Sequence, residues 1–125
     1  MPETFKVVIV DDEPDAIKAL LKCLSNYPRF KIEGTACNGA SGINIIKEIQ
    51  PDLLFLDVEL PDMYGMEILS NMKDDILWSM RVVFYTAHNK YMINALRNYA
   101  FDFLLKPIDV REFDVVISRF ILDNE

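Results

Sequence analysis

Polar and apolar residues alternate in blocks along the chain, and three blocks are short, apolar and rich in β-branched side chains. These blocks are residues 5 to 10 (FKVVIV), 52 to 57 (DLLFLD) and 81 to 87 (RVVFYTA). Apolar runs of this length are typical of strands that are buried on both faces of a parallel sheet. The first two each have a centre of four apolar residues followed by Asp, so we expect both in the middle of one sheet.

Two further segments predict strands at other positions in the sheet. Residues 30 to 37 (FKIEGTAC) alternate more between apolar and polar side chains and contain Gly34, which favours a more exposed strand near a sheet edge. Residues 101 to 106 (FDFLLK) predict a fifth strand, which ends at a lysine. The pattern therefore predicts five strands in all.

Apolar residues recur at helical spacing in the segments between these strands. The first helix is predicted from Ile17, Leu20, Leu21 and Leu24, at positions i, i+3, i+4 and i+7, with Asp12 as its candidate cap. Four more helices are predicted: one with Ile43, Ile46 and Ile49, one with Ile68, Leu69 and Met72, one within residues 89 to 98, and one lined by Val110, Phe113, Ile117, Phe120 and Ile121.

Strands and helices alternate five times, without a Ser/Gly-rich linker, an internal repeat or a low-complexity tract. This order predicts an α/β fold in which a doubly wound, five-stranded parallel sheet is flanked by five helices, with right-handed crossovers. We expect residues 1–125 to form a single domain, because this length suits one hydrophobic core. Ligands of such folds lie beyond the carboxyl ends of the strands, so the residues that end the strands should decide the function.

Charge and hydropathy exclude several classes of function. Thirteen basic and twenty acidic residues give a net charge of −7, so most of the surface would repel the phosphates of a nucleic acid. No uninterrupted apolar run exceeds four residues, which is too short for a membrane span or a signal peptide. We therefore expect a soluble, cytoplasmic protein with no membrane partner.

Cysteine and histidine are too few to suggest a site built from thiols or imidazoles. Cys23 and Cys37 stand in neither a CxxC motif nor a cluster with metal-ligand spacing, and we expect both to be reduced thiols in the core. His88 is the single histidine, which excludes catalysis that requires several imidazoles.

Polar residues with complementary chemistry stand where the predicted strands end: Asp11, Asp12, Asp57, Thr86 and Lys106. Carboxylates brought this close repel one another unless a cation is present, and Mg²⁺ (or Mn²⁺) suits such a set of oxygen ligands. An aspartate can also act as a nucleophile and form an acyl phosphate, for which Asp57 is the candidate. Lys106 would neutralise charge on the transferring oxygens, and Thr86 would donate a hydrogen bond to one of them.

Each of these residues also has an ordinary structural interpretation. Asp11 and Asp12 can simply cap the first helix, Asp57 can be a loop acid, Thr86 a β-branched strand residue and Lys106 a solvated strand end. The combination favours the functional interpretation, because independent strand ends would otherwise supply complementary chemistry at one edge of the sheet by accident.

Four sequence motifs in order resemble those of the response-regulator receiver domains of two-component signalling. They are VVIVDDEP with its acidic pair, LLFLDVELPDMYG around the phosphoacceptor, VVFYTA with its Thr-Ala step, and FDFLLKPID with its Lys-Pro step. The resemblance extends over nearly the whole chain. It implies a flavodoxin-like fold with strand order 2-1-3-4-5 and a signalling switch that is not an enzyme, apart from phosphotransfer to itself and its own dephosphorylation.

The resemblance also implies which residues carry the chemistry. Asp57 would accept a phosphoryl group from a sensor histidine kinase. Asp11, Asp12 and Asp57, together with the backbone carbonyl of Glu59, would bind Mg²⁺. Glu59 and His88, each two residues beyond a motif residue, resemble the side chains that tune access of water at the entrance of the site. Either of them can equally be a solvated loop residue.

Further residues would report the phosphorylated state, as the resemblance implies. Lys106 would pair with the phosphoryl group, Thr86 would move toward it, and Phe103 would rotate inward. The bond from Lys106 to Pro107 resembles the cis peptide of the family, which requires proline because other cis peptides cost several kcal/mol more.

The output would pass through the face formed by the fourth helix, fifth strand and fifth helix, about residues 89 to 122. Tyr91, Met92, Tyr99 and Phe101 are candidates for apolar surface on this face, or they only fill the core and its rim. A phosphorylation-dependent homodimer through this face is therefore a hypothesis. The segment from Thr86 onward resembles receivers that precede LytTR-type DNA-binding domains, in which case DNA is bound only by a downstream effector domain.

Three other functions remain as alternatives. A haloacid-dehalogenase-type phosphatase also forms an aspartyl phosphate, but its nucleophile lies in a DxD motif on the first strand, where this chain has DDE. A nucleotide- or flavin-binding module would require GxGxxG or GxxxxGK[ST], and the sequence contains neither. A receiver-like domain that binds proteins without being phosphorylated is the third alternative.

Overall fold

Strands and helices alternate throughout the computed structural model, which describes residues 4–97 and 100–124 except for the side chain of Leu96. The strands are β1 (Phe5–Val10), β2 (Phe30–Ala36), β3 (Leu53–Leu56), β4 (Arg81–Thr86) and β5 (Asp102–Leu105). The helices are α1 (Pro14–Leu24), α2 (Gly39–Ile49), α3 (Gly65–Asn71), α4 (Met92–Arg97), which follows a 3₁₀ turn at Asn89–Tyr91, and α5 (Val110–Asp123).

The five strands form one parallel sheet in the order β2-β1-β3-β4-β5. The prediction that the first and third strands lie inside the sheet is confirmed, as is the edge position of the second strand. An irregularity in β2 accompanies this edge position: Val7 of β1 pairs with Ile32, whereas Val8 pairs with Gly34, so Glu33 is an extra residue in the register. Such bulges are common at sheet edges.

The sheet has a hydrophobic core on each face, which explains why the central strands are apolar at consecutive positions. In β1, Val7 and Ile9 point to the core beneath α1 and α5, whereas Val8 and Val10 point to the core beneath α2, α3 and α4. All four side chains are fully buried. This is the two-sided burial that predicts a doubly wound sheet.

Two local predictions differ from the structure. The residue that precedes α1 and acts as its N-cap is Glu13, not Asp12, and no side chain caps this helix end. The carboxylate of Asp11 instead accepts a hydrogen bond from the Glu13 N–H at 2.9 Å. The second correction concerns Cys37, which is exposed because it follows the buried Ala36 on the side of β2 where Glu33 and Thr35 are also exposed; Cys23 is buried, and both are free thiols.

The fourth helix, predicted within residues 89 to 98, forms over 92–97 and is preceded by the 3₁₀ turn. Residue 98, and Tyr99 on the predicted output face, lie outside the described residues. Among the residues that the structure describes, no helix has both the length and the apolar character that crossing a membrane requires.

The start of α3 packs directly against the backbone that follows β3. The Gly65 N–H donates to the Val58 carbonyl at 2.7 Å, and a Cβ at Gly65 would lie 2.3 Å from the Asp57 carbonyl oxygen. Backbone cannot move aside as a flexible side chain can, so only glycine fits here without a shift of the loop that carries Asp57.

We therefore expect Gly65→Ala to lower the free energy of unfolding by about 1 to 3 kcal/mol, the usual cost of forcing an extra group into a packed site. Chemical denaturation would measure it. Gly34→Ala is the matched control, because its Cβ would meet side-chain atoms and no backbone, the nearest being Ile49 Cδ1 at 2.8 Å and Ile45 Cγ2 at 3.2 Å, and side chains can rotate away. Equal losses in the two variants would contradict this explanation.

Candidate functional site

Three carboxylates converge at the carboxyl ends of β1 and β3. Val10 and Leu56 are paired across these neighbouring parallel strands, and the Asp57 N–H donates to the Val10 carbonyl at 2.9 Å, so the residues that follow lie side by side. Asp11, Asp12 and Asp57 each offer an oxygen, and these oxygens lie within 4.8 Å of one another. Asp11 and Asp57 are buried, with 1% and 5% exposure, while Asp12 is exposed.

Burial has an electrostatic cost for these acids. It raises the pKa of Asp11 to about 6, because the charged form loses its hydration, although the nearby Lys106 ammonium and the hydrogen bond from the Glu13 N–H oppose the shift. The carboxylate of Asp57 is held by its own loop, since Oδ1 accepts a hydrogen bond from the Glu59 N–H at 3.3 Å. The carboxylates are thus already close together, while their burial makes their negative charge unfavourable.

Lys106 supplies the positive charge beside this cluster. Its Nζ lies 3.0 Å from Asp57 Oδ2, 2.9 Å from Asp11 Oδ2 and 2.6 Å from Glu13 Oε1, and its side chain is only 10% exposed. Burial alone would lower the pKa of Lys106, but the three carboxylates outweigh it and raise the pKa above its ordinary value. Lys106 is therefore a permanently charged ammonium held between acids.

Glu13 is the site residue that the sequence analysis missed. Its only signal is its position directly after the acidic pair, and its partner Lys106 is 93 residues away, so no local pattern joins the two.

Thr86 lies at the end of β4 and is buried, with 1% exposure. Its carbonyl accepts a hydrogen bond from the Lys106 N–H at 2.8 Å, which ties the ends of β4 and β5 together beside the carboxylates. The peptide bond from Lys106 to Pro107 is cis. A cleft of about 300 Å³ opens here, and it is lined by Asp12, Glu13, Asp57, Glu59, Thr86, Ala87 and His88.

A series of side-chain contacts begins at two residues that line this cleft, Glu59 and His88. His88 Nε2 lies 2.7 Å from Glu59 Oε1, which joins the loop after β4 to the loop after β3. The ring of Tyr91 is edge-on to that of His88, with 6.1 Å between the ring centroids, and its centroid lies 6.4 Å from that of the Tyr64 ring. Partial burial and a hydrogen bond with Glu59 raise the pKa of Tyr91. The structure thus brings the two predicted entrance residues together.

Phe103 lies away from the carboxylates, on the face of β5 toward α4. It pairs with Phe84 of β4, is half-buried and packs against the core beneath α2, α3 and α4. A groove of about 260 Å³ begins at this ring and runs between α4 and α5, lined by Met92, Asp102, Phe103, Leu104, Leu105, Glu112, Val115 and Val116. Several apolar side chains around it are exposed, among them Met92, Ile93, Val110 and Val115.

The donor set of the carboxylate cluster fits a hard divalent cation. Asp11 Oδ2 is buried and receives no hydrogen bond of acceptable geometry from the described residues, although it lies near the Lys106 ammonium. A cation would satisfy this oxygen and relieve the repulsion among the three acids, and Mg²⁺ prefers oxygen ligands of this kind. The backbone carbonyl of Glu59 remains a predicted fourth ligand, from a residue that lines the same cleft.

Comparison with known proteins is consistent with this arrangement. The chain is 38% identical over 112 residues to an uncharacterized response regulatory protein of Vibrio vulnificus, covering 90% of this chain and 46% of that protein. It is 37% identical over 114 residues to the transcriptional regulatory protein BtsR of Escherichia coli, covering 91% and 47%. The chain thus spans about half the length of the curated relatives it matches.

Solved structures show the same fold. The response regulator domain of Thermotoga maritima CheB superposes with a TM-score of 0.75 at 28% identity, covering 98% of this chain and 93% of that one. The response regulatory domain of protein mrkE from Klebsiella pneumoniae superposes with a TM-score of 0.85 at 24% identity, covering 94% and 96%, and shows the fold alone. Residues 7–118 match the family pattern of the response regulator receiver domain, and the chain therefore belongs to that family.

Proposed function

We propose that residues 1–125 form one receiver domain, a signalling switch in which Asp57 accepts a phosphoryl group from a sensor histidine kinase in the presence of Mg²⁺. The observation that carries the proposal is the contact of the Asp57 carboxylate with the Lys106 ammonium at 3.0 Å, at the acidic cleft that Asp57 lines. This cleft opens to solvent, so a phosphohistidine can reach the carboxylate.

The chemistry is a displacement at phosphorus. An Asp57 oxygen forms the new P–O bond while the P–N bond of the phosphohistidine breaks, and the imidazole nitrogen keeps the electron pair of the broken bond. Asp11, Asp12 and Asp57 would hold Mg²⁺, which would supply positive charge to the transferring oxygens. Lys106 stabilises the same charge and is already oriented by its neighbours.

Transmission to the surface would follow β4 and β5. A phosphoryl dianion on Asp57 draws Lys106 and the Thr86 hydroxyl toward it, and Phe103, three residues before Lys106, lines the groove toward α4. The new charge then favours a second conformation, in which this face is packed differently, so the population of that conformation rises. The exposed apolar side chains around the groove suit a second phosphorylated copy, which makes a phosphorylation-dependent homodimer the proposed output contact.

DNA binding is proposed only for an effector domain outside this chain. The Escherichia coli relative is named a transcriptional regulatory protein and is about twice as long as the matched region. The LytTR type of such an effector stays a prediction from the sequence. The net charge of −7 makes direct contact between this domain and DNA unfavourable.

Incubation with Mg²⁺ and acetyl phosphate should add a single phosphoryl group per chain, measured by intact mass. Asp57→Asn should abolish the adduct and a chelator should prevent it, because the nucleophile or the cation is then missing. Asp74→Asn, at an exposed acid outside the cleft, is the matched control and should be phosphorylated normally. An adduct that survives in Asp57→Asn would contradict the assignment. No adduct in any sample would favour a phosphorylation-independent interaction module.

The burial of Asp11 at the cation site predicts an unusual effect on stability. Because burial raises the pKa of Asp11 from 3.8 to about 6, the folded chain holds this proton more tightly than the unfolded chain does. Its contribution to stability is therefore most favourable below pH 4 and is lost as the pH rises through 6. With a chelator at pH 7, we expect Asp11→Asn to raise the free energy of unfolding by about 1 to 3 kcal/mol.

Denaturation in chelator across pH 4 to 7 would measure this effect. Asp12→Asn is the control, because it removes the same unit of charge from an exposed position of the cluster. Mg²⁺ should stabilise the unchanged chain and stabilise Asp11→Asn much less. A lower free energy of unfolding for Asp11→Asn at pH 7, or an equal increase for both variants, would show that the buried charge of Asp11 does not destabilise the fold.

Glu59 should affect how long the acyl phosphate lasts. Glu59→Gln keeps the shape of the side chain but weakens its contact with His88, so water should reach the phosphoryl group more easily. We expect dephosphorylation about two- to fivefold faster, the range that partly exposed ion pairs support. Decay of the intact-mass adduct after removal of acetyl phosphate would measure the rate. Glu48→Gln, at an exposed position on α2, is the control, and equal rates in the two variants would refute a role for Glu59.

A further inference from the structure

Glu13 makes the shortest contact of the Lys106 ammonium, yet the proposed function gives it no role. The distance from Lys106 Nζ to Glu13 Oε1 is 2.6 Å, compared with 2.9 Å to Asp11 and 3.0 Å to Asp57. The Glu13 side chain is 61% exposed while Lys106 is 10% exposed, so the contact reaches from the solvent side onto a nearly buried charge.

The backbone holds Glu13 in this position. Glu13 is the N-cap of α1, and its carbonyl accepts the first hydrogen bond of the helix from the Ile17 N–H at 3.2 Å. Its own N–H donates to Asp11 Oδ1 at 2.9 Å. Glu13 therefore contacts a predicted cation ligand through its backbone and Lys106 through its side chain, and the start of α1 fixes both contacts.

The three acids around Lys106 have different roles in the proposed phosphorylated state. Asp11 is a cation ligand, and the Asp57 carboxylate becomes the acyl group that carries the phosphoryl oxygens. Glu13 belongs to neither set, so it keeps its negative charge and its contact with Lys106. An ammonium has three N–H donors, and the one that Glu13 accepts is not available to the phosphoryl oxygens while that contact lasts.

We propose that Glu13 is a positioning residue that holds Lys106 and competes with the phosphoryl group for it, so that it weakens binding of that group. The inference rests on the proposed function, since it concerns the same phosphoryl site. Glu13 lowers affinity in two ways: it retains the lysine, and it adds a negative charge at the edge of a cleft that must receive a dianion.

Beryllofluoride, a mimic of the phosphoryl group, tests this with no reaction step. The dissociation constant is measured by the ¹⁹F NMR signal of bound beryllofluoride at saturating Mg²⁺, and the Mg²⁺ affinity of each variant is measured separately. Glu13→Gln should bind beryllofluoride about two- to fivefold more tightly than the unchanged chain, as expected for loss of one partly exposed ion pair. Glu13→Ala, which removes the competing oxygen entirely, should bind at least as tightly as Glu13→Gln.

Asp15→Asn is the matched control. Asp15 is exposed, lies two residues from Glu13 in the first turn of α1, and lines a neighbouring cavity with Lys106. Asp15→Asn removes the same unit of charge as Glu13→Gln, so it measures how much the loss of a nearby negative charge alone changes beryllofluoride binding. We expect its dissociation constant to change less than about 1.5-fold at moderate ionic strength, because exposed charges are screened. A structural role for Glu13 would lower stability and Mg²⁺ affinity without tightening beryllofluoride binding.

The possible results separate the inference about Glu13 from the proposed function of the site. Tighter binding for both Glu13 variants with an unchanged Asp15→Asn supports competition for Lys106. Equal or weaker binding for Glu13→Gln and Glu13→Ala overturns it while leaving the proposed function intact, and weaker binding would mean that Glu13 assists the lysine instead. If the unchanged chain shows no Mg²⁺-dependent binding of beryllofluoride, the proposed function fails, and this inference fails with it.

Discussion

The burial of Lys106 among carboxylates is the interaction on which the rest of the site depends. Two acids, Asp11 and Asp57, are held almost without solvent at the ends of neighbouring central strands, and an isolated pair of buried charges would be strongly unfavourable. The ammonium compensates part of that cost and fixes the carboxylate of Asp57 in a defined orientation. The remaining negative charge is the feature of the cluster that suits a divalent cation.

The same strands that create this cluster also connect it to the surface. Lys106 follows β5, its backbone is bonded to Thr86 at the end of β4, and Phe103 on β5 lines the groove beside α4. These elements pack on one core, so a change in the position of Lys106 acts on groups that are already in contact. This continuity supports a switch in which chemistry at Asp57 changes the face between α4 and α5.

Much of this arrangement could be predicted, because it follows from patterns that are local in sequence. The apolar centres before Asp11 and Asp57 required burial on both faces, which placed β1 and β3 inside the sheet and their acids at one edge. Glu13 could not be found in this way, because its contact depends on a helix start meeting a strand end 93 residues away. The exposure of Cys37 continues the alternation of β2, in which Glu33 and Thr35 are exposed, so the strand pattern is a better guide here than the general preference of cysteine for the core.

Chemical trapping of the phosphorylated residue tests the central claim most directly. Borohydride reduces an acyl phosphate to an alcohol, so the aspartate that carried the phosphoryl group becomes homoserine and can be located by peptide sequencing. The account predicts homoserine at position 57 alone after treatment with Mg²⁺ and acetyl phosphate. Homoserine at position 11 or 12, or intact aspartate at position 57 in a chain that carries a phosphoryl group, would contradict it.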